Sequence, residues 1–193
     1  MADSRVDVAH LTAPVIDPSS QLSAGYKPGK YLMPGCFGIP TAVPPEGTMT
    51  MAPIYVAKAT TFDRIQCNVS VAGSAGAVVR LGIYGSDADG MPYGLVLDAG
   101  TVAATSTGVR EATISQYLPL GKWWLAAVVQ GAATTRPTLY LLGANYTRPA
   151  GVPCNGVADE AWIARTGVSG ALPNPGPPTA SYAAAIAVAV RMV

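Results

Sequence analysis

Residues able to carry out catalysis are scarce in this chain. Its single histidine, His10, lies in a proline-rich stretch, so a Ser-His-Asp or Cys-His pair would require that stretch to fold back onto the core. Cys36, Cys67 and Cys154 are widely spaced and form no CxxC motif, which predicts free thiols rather than a disulfide framework or a zinc site. The densest acidic pair, Asp159-Glu160, is explained by a solvated loop. We therefore expect no catalytic residues, no metal site and no cofactor in a protein that is not an enzyme.

The segment Asp87-Ala88-Asp89-Gly90 resembles the beginning of a calcium-binding loop. An EF-hand loop needs further oxygen ligands and a distal glutamate at fixed spacing, and Met91-Pro92-Tyr93 does not supply them. Glycine, aspartate and serine are residues that turns favour, so residues 85–90 are predicted to form a β-turn between two strands. Neither a GxxxxGK[ST] loop nor a strand-linked GxGxxG motif occurs.

Aromatic side chains offer the other candidate site. Trp123 and Trp124 are adjacent, and adjacent residues of a strand point to opposite faces of the sheet. One indole should therefore lie in the core, while the other lies at an interface, under a loop or on a ligand surface. Packing is the favoured role, and a carbohydrate site is the alternative, because exposed aromatic rings bind sugars. The candidate surface or ligand contacts are Tyr84, Tyr93, Trp123, Trp124 and Trp162.

The charge content limits which partners the chain can have. Only 12% of the residues are charged, compared with about 25% in typical globular domains. Charged side chains are the usual covering of an exposed surface, so we expect neighbouring subunits to cover much of this one. A net charge of +1 argues against nucleic-acid binding, and no apolar run of about 20 residues is present for membrane insertion. The N-terminus lacks an apolar signal-peptide region, so synthesis in a cytoplasm is expected.

The chain is predicted to have two parts. Residues 1–48 are rich in proline and glycine and can form neither a long helix nor a central strand. They also carry apolar side chains such as Tyr31 and Phe37, so they are predicted to form an extended arm that lies along a surface. A flexible tail is the alternative. Residues 49–193 are predicted to form one domain, which includes a long irregular segment at 147–180 with a short helical turn at 159–165.

Alternation of apolar and polar residues predicts strands in the second part. In 61–71, Ile65, Cys67, Val69 and Val71 face one way, and in 77–84 the apolar residues again alternate. Many short strands, frequent turns and no amphipathic helix predict an all-β fold, an antiparallel β-sandwich or jelly roll. Further strands are predicted near Leu95–Asp98, Thr101–Ala104, Val109–Ser115, Trp123–Gln130, Thr138–Ala144 and Ala183–Arg191.

Several of these segments resemble one kind of viral domain. Residues 49–193 are similar to the β-domains of minor tail and tail-fibre-type proteins of tailed phages, particularly those of actinobacteria. The segments that carry the resemblance are 60–65, 71–84, 89–92, 95–102, 120–126 and 170–173. They form a pattern of strands and turns, not a catalytic signature, and the family offers no site motif whose residues could be transferred. Such domains often end longer fibre proteins, whereas here the domain makes up most of the chain, which favours a compact subunit with an arm.

The resemblance implies a structural protein of a phage virion. It would be a minor tail, tail-tip or fibre-knob protein, made in the host cytoplasm. It would be a homo-oligomer, with a trimer favoured by analogy, and its arm would hold other virion proteins. Residues 85–94 or 147–180 could then contact the host surface, where a cell-wall glycan is a candidate partner. A head decoration protein of the same virion and a stand-alone carbohydrate-binding module are the alternative predictions.

Overall fold

The computed structural model describes residues 26–35, 39–142, 162–174, 180–182 and 184–193. In this part of the chain all regular structure is β, and it contains no long apolar helix of the kind that crosses a membrane. The strands are β1 (Tyr31–Leu32), β2 (Thr41–Ala42), β3 (Met49–Val56), β4 (Thr60–Val71), β5 (Val78–Ser86), β6 (Pro92–Ala103), β7 (Gly108–Leu118), β8 (Gly121–Gln130), β9 (Thr138–Leu142), β10 (Trp162–Arg165), β11 (Ala180–Tyr182), β12 (Ala185–Ile186) and β13 (Ala189–Met192).

The strands form two sheets in which all described pairings are antiparallel. In the first, sheet I, β7 pairs with one edge of β4, while β13 and β9 pair with the other; β1, β2 and β12 extend it from β13 and β9. In the second, sheet II, the order is β11-β10-β3-β8-β5-β6. The predicted all-β fold, an antiparallel β-sandwich, is confirmed. The jelly-roll topology stays a prediction.

The main core lies between the two sheets. It contains the alternate residues Ile65, Cys67 and Val69 of β4, and β5 contributes Val79, Leu81 and Ile83 in the same way. Fully burying one such aliphatic side chain stabilises the fold by roughly 1.5–3 kcal/mol. Alternation thus identified the inward faces of both strands correctly. It failed for Val71, whose side chain is 55% exposed at the end of β4.

Three secondary-structure predictions need correction. The two strands predicted near 95–98 and 101–104 are one continuous strand, β6, whose pairing with β5 shifts register at three points. The strand predicted at 183–191 is divided into β12 and β13, although Ile186, Val188 and Val190 are all buried in the core as expected. The helical turn predicted at 159–165 is wrong for 162–165, because Ile163 pairs with Met51 of β3.

The predicted arm and the predicted irregular segment both contain strands. Tyr31–Leu32 pairs with β13 and Thr41–Ala42 with β9, so this part of residues 1–48 lies along the chain's own sheet. Residues 1–25 and 36–38 lie outside the described residues, and the arm stays a prediction there. The irregular segment at 147–180 is interrupted by β10, and β11 begins at its end; residues 147–161 and 175–179 lie outside the described part.

Sheet II is buried on its outer face as well. A second cluster there contains Met49, Met51, Tyr84, Trp124, Ala126 and Val128 together with Ile163, Val168 and Leu172. An antiparallel sheet commonly leaves one face in water. Here residues 166–174, which we call the strap, run across that face and cover it with Val168 and Leu172.

The strap packs closely against sheet II at Gly82 of β5. A Cβ atom at this position would collide with Leu172 Cδ1 and would lie 2.7 Å from the carbonyl oxygen of Leu97. Glycine is required here because an added Cβ atom would meet both a side chain of the strap and the backbone of β6. Leu172 therefore occupies the space that a side chain at position 82 would otherwise fill.

Gly82→Ala tests this contact. We expect the free energy of unfolding to fall by about 1–3 kcal/mol, because the added methyl group forces Leu172 and the backbone of β6 apart. Urea denaturation measures the change. Gly94→Ala in β6 is the matched control, since its added Cβ would have nothing within 4 Å. Equal free energies of unfolding for the two variants would contradict the close approach.

Candidate functional site

Two of the aromatic residues predicted to contact a surface or ligand are buried instead. Tyr84 and Trp124 are directly opposite each other on β5 and β8, and both have no exposed surface. They lie under the strap in the outer cluster of sheet II. Their prediction as surface or ligand contacts is therefore wrong. The physical reason is that the strap, which is distant in sequence, covers the face of sheet II on which both side chains lie. A position under a loop is one of those predicted for one of the two indoles.

The polar atoms of both side chains have partners within the fold. The Tyr84 hydroxyl donates to the carbonyl oxygen of Pro173 at 2.8 Å, and burial raises the pKa of Tyr84 to about 12. Trp124 Nε1 donates to Ser86 Oγ at 3.2 Å, and Lys122 Nζ lies 4.8 Å from the centre of the Trp124 ring. These contacts use the polar groups to hold the strap and the end of β5, which leaves none for a ligand.

The other predicted contacts lie on three different strands. Trp123 is half-buried against the main core, and its Nε1 donates to the carbonyl oxygen of Pro119 at 3.0 Å. Tyr93 stands exposed on β6. Trp162 belongs to β10, where its backbone pairs with Tyr182 of β11. Within the described residues, the aromatic set thus forms no single platform for a sugar.

Asp98 of β6 is the polar anchor of the strap. Its carboxylate accepts one bifurcated hydrogen bond from the Arg80 Nε–H, with distances of 2.9 and 3.0 Å to its two oxygens, and one hydrogen bond from the backbone N–H of Leu172 at 3.0 Å. The Gly100 N–H donates to the same carboxylate. Burial alone would raise the pKa of Asp98, but these hydrogen bonds and the charge of Arg80 outweigh it and leave the pKa lowered.

Further hydrogen bonds fix the strap along its length. Gln130 Nε2 donates to the carbonyl oxygens of Val168 and Gly170, and the Val168 N–H donates to the carbonyl oxygen of Gly47. Asn174 Oδ1 accepts from the Leu95 N–H at 3.2 Å. The strap is therefore bound from the edge strand β6 across to the residues that precede β3.

The outer face of sheet I is polar. Arg191 forms two hydrogen bonds with the Asp63 carboxylate, at 2.9 and 2.6 Å, and the first of the causes that lower the pKa of Asp63 is this contact. Arg64 Nε lies 3.5 Å from Glu111 Oε1, and the Tyr31 hydroxyl donates to the other oxygen of Glu111. These charges neutralise one another across β13, β4, β7 and β1, and they form no site of unbalanced charge.

Several exposed apolar side chains lie near one end of the sandwich, on different faces of it: Tyr55 belongs to sheet II and Tyr117 to sheet I. This is the end where β3 leads into β4 and β7 leads into β8, as the pairs Val56 with Gly121 and Thr60 with Leu118 show. We call it the aromatic end and define it by Tyr55, Tyr93, Tyr117, Leu120 and Trp123. Apart from the half-buried Trp123, each of these side chains is more than half exposed. Of these residues, the sequence predicts only Tyr93 and Trp123 as surface or ligand contacts. The signal for the other three is their position at strand ends beside turns.

The described residues also bear on catalysis and metal binding. Cys67 of β4 is a free thiol buried in the main core. Burial raises its pKa to about 12, so its reactive thiolate form is strongly disfavoured at neutral pH. In the described part of the chain no three histidine, cysteine or acidic side chains come together as metal ligands would. Asp87 accepts hydrogen bonds from the N–H groups of Asp89 and Met91, as the predicted turn requires.

Comparison with known proteins adds no relative: no protein-family model, curated protein or solved structure matches the chain.

The anchor at Asp98 predicts a pH-dependent stability. Since the pKa of Asp98 is lower in the folded chain than its ordinary value of 3.8, the fold favours the ionised carboxylate. Its contribution is present above the unfolded-state pKa and is lost as the pH falls through the folded-state pKa. Asp98→Asn should therefore be less stable than the unsubstituted chain near neutral pH, and the difference should shrink below about pH 4.

Denaturation at pH values from about 7 down to about 2 measures this difference. Asp89→Asn, in the exposed turn between β5 and β6, is the control and should show a small difference at neutral pH. A loss for Asp98→Asn that has the same size at every pH would contradict the anchoring role of the carboxylate.

Proposed function

We propose that this chain is a structural subunit of a tailed-phage virion, of the minor tail, tail-tip or fibre-knob type, and that it works as an oligomer. The observation that carries the proposal is the combination of a 12% charge content with the exposed apolar side chains of the aromatic end. The resemblance of residues 49–193 to phage tail domains supplies the kind of assembly.

The distribution of charge supports an assembly role. The ion pairs of sheet I hold several of the few charges in mutual contact, so they leave little charge to keep other surfaces in water. The aromatic end offers tyrosine side chains, which are enriched at the contact surfaces of proteins. A surface of this kind is stable in water when another protein covers it. We assign the aromatic end to contact within the particle.

The partners follow from the same proposal. Residues 1–25, which precede the described part, would hold neighbouring virion proteins, and a trimer is favoured by analogy alone. A head decoration protein remains the nearest alternative. A carbohydrate-binding module could not use Tyr84 or Trp124, because both are buried. Host cell-wall glycan binding would therefore rest on fewer aromatic side chains than the sequence predicts.

Immunogold labelling tests the location. Antibodies against this chain should label intact tailed particles at one defined structure, the tail tip, fibre or head. Labelling of the tail would support the proposal, and labelling of the head would favour the decoration alternative. Purified particles that carry no label, and that contain no peptide of this chain by mass spectrometry, would contradict a virion role.

A pair of substitutions tests the aromatic end. Tyr55→Ser combined with Tyr93→Ser should lower the number of copies per particle several-fold, because the variant loses apolar contact area. Quantitative mass spectrometry of purified particles measures the copy number. Val71→Ser is the matched control, since Val71, Tyr55 and Tyr93 are each 55% exposed but Val71 lies at the opposite end of the sandwich. Unchanged copy number for the double variant would exclude this surface as the contact.

A further inference from the structure

The free edge of β7 has the properties of a surface that pairs with itself. β7 is 11 residues long, and among the described strands it pairs with β4 only. An unpaired strand edge presents backbone N–H and C=O groups that can bind another strand. Sheet edges in monomers are usually short, charged or interrupted by proline and bulges.

The other described edges have those protections. β1, β2, β11 and β12 contain two or three residues each. β6 is long, but it begins with Pro92, has a positive φ angle at Gly100 and shifts register against β5 at three points. β7 contains no proline, its only glycine is the first residue, Gly108, and its pairing with β4 shifts register only once. Its charged residues are one of each sign, Arg110 and Glu111. It is therefore the described edge with the fewest barriers to pairing.

The exposed residues of β7 follow a regular pattern. Its pairing with β4 shifts register once, between Phe62 and Arg64, yet exposure along β7 alternates without interruption. Every odd-numbered side chain is exposed, namely Val109, Glu111, Thr113, Ser115 and Tyr117, and every even-numbered residue after Gly108 is buried or half-buried. The two large apolar members of this row, Val109 and Tyr117, are 51% and 58% exposed.

This row is symmetric about Thr113. We propose that the edge of β7 binds the same edge of a second copy, antiparallel, around a twofold axis that passes midway between the two Thr113 residues at right angles to the sheet. In that register Val109 of one copy lies opposite Tyr117 of the other, on both sides of the axis. Pairs of a β-branched and an aromatic side chain across two strands are among those that stabilise sheets.

Two further features favour this register. All residues of β7 from Gly108 to Leu118 then have a partner, because Thr113 is the midpoint of the strand. Charges also fit: Glu111 faces Ser115 and Arg110 faces Gln116, so no like charges meet. A shift that centres the axis on Glu111 or Arg110 would place identical charges opposite each other, which destabilises a sheet.

The partner is thus a second copy of this chain, and the contact joins two copies of sheet I into one continuous sheet. This contact would be one interface of the proposed assembly. Its biological setting rests on the proposed function, whereas the pairing itself does not. A twofold contact at β7 can coexist with a threefold contact elsewhere, because most of the molecule's surface remains available. A homo-oligomer with such an interface uses the same patch on both copies.

Cysteine cross-linking tests the register. In a chain with Cys36→Ser and Cys154→Ser, which leaves the buried Cys67, Thr113→Cys should form covalent dimers rapidly with a short bismaleimide. Directly opposite residues have Cβ atoms about 4.5–5.5 Å apart. Val109→Cys alone should not cross-link, because its two copies would be about 27 Å apart along the strand. A mixture of Val109→Cys and Tyr117→Cys should cross-link.

A charge substitution gives a second measurement. Tyr117→Lys should weaken the dimer by about tenfold, since the contact contains two copies of the lost pair, and sedimentation equilibrium measures the dissociation constant. Val71→Lys, at 55% exposure and outside β7, should not change it. Failure of Thr113→Cys to cross-link in a folded chain, or equal cross-linking of all variants including Val71→Cys, would overturn the inference. Particle labelling without β7 cross-linking would remove this interface and leave the virion proposal standing.

Discussion

A shortage of charged side chains is the constraint to which the structure responds. A folded chain keeps its surface in water mainly with lysine, arginine, aspartate and glutamate, and here these make up 12% of the residues. The apolar faces of the two sheets must nevertheless be kept from water. Packing of the sheets against each other buries one face of each. The outer face of sheet II carries Tyr84, Trp124 and their apolar neighbours, and the chain covers it with its own strap. Leu172 packs against Gly82, while Asp98 binds the strap backbone, so packing and polar contacts act together.

The remaining charges are placed where they balance one another. Arg191 and Asp63 pair across β13 and β4, and Arg64 and Glu111 pair across β4 and β7. Exposed ion pairs of this kind contribute little to stability, typically below about 1 kcal/mol. Their effect is to make the outer face of sheet I polar. The aromatic end and the free edge of β7 receive no such cover from the described residues, and these are the surfaces to which we assign contacts with other subunits.

The parts of the fold that depend on local pattern could be predicted from the sequence. Alternation in β4 and β5 identified the inward residues from Ile65 to Ile83, because each strand has a simple period of two. The strap could not be predicted, since Leu172-Pro173-Asn174 has no periodicity and its contact with Gly82 joins residues far apart in the chain. Tyr84 and Trp124 were misassigned for the same reason. The uninterrupted apolar run from Trp123 to Val129 in β8 was the available signal, because strands buried on both faces lose alternation.

The mass of the purified full-length chain in solution tests the central claim, that other subunits cover its exposed apolar surface. One chain has a mass of 19.7 kDa. Light scattering coupled to size-exclusion chromatography, at micromolar concentration, should give a mass of two or more chains. A stable, monodisperse species with the mass of a single chain, unchanged as the concentration rises, would contradict the account.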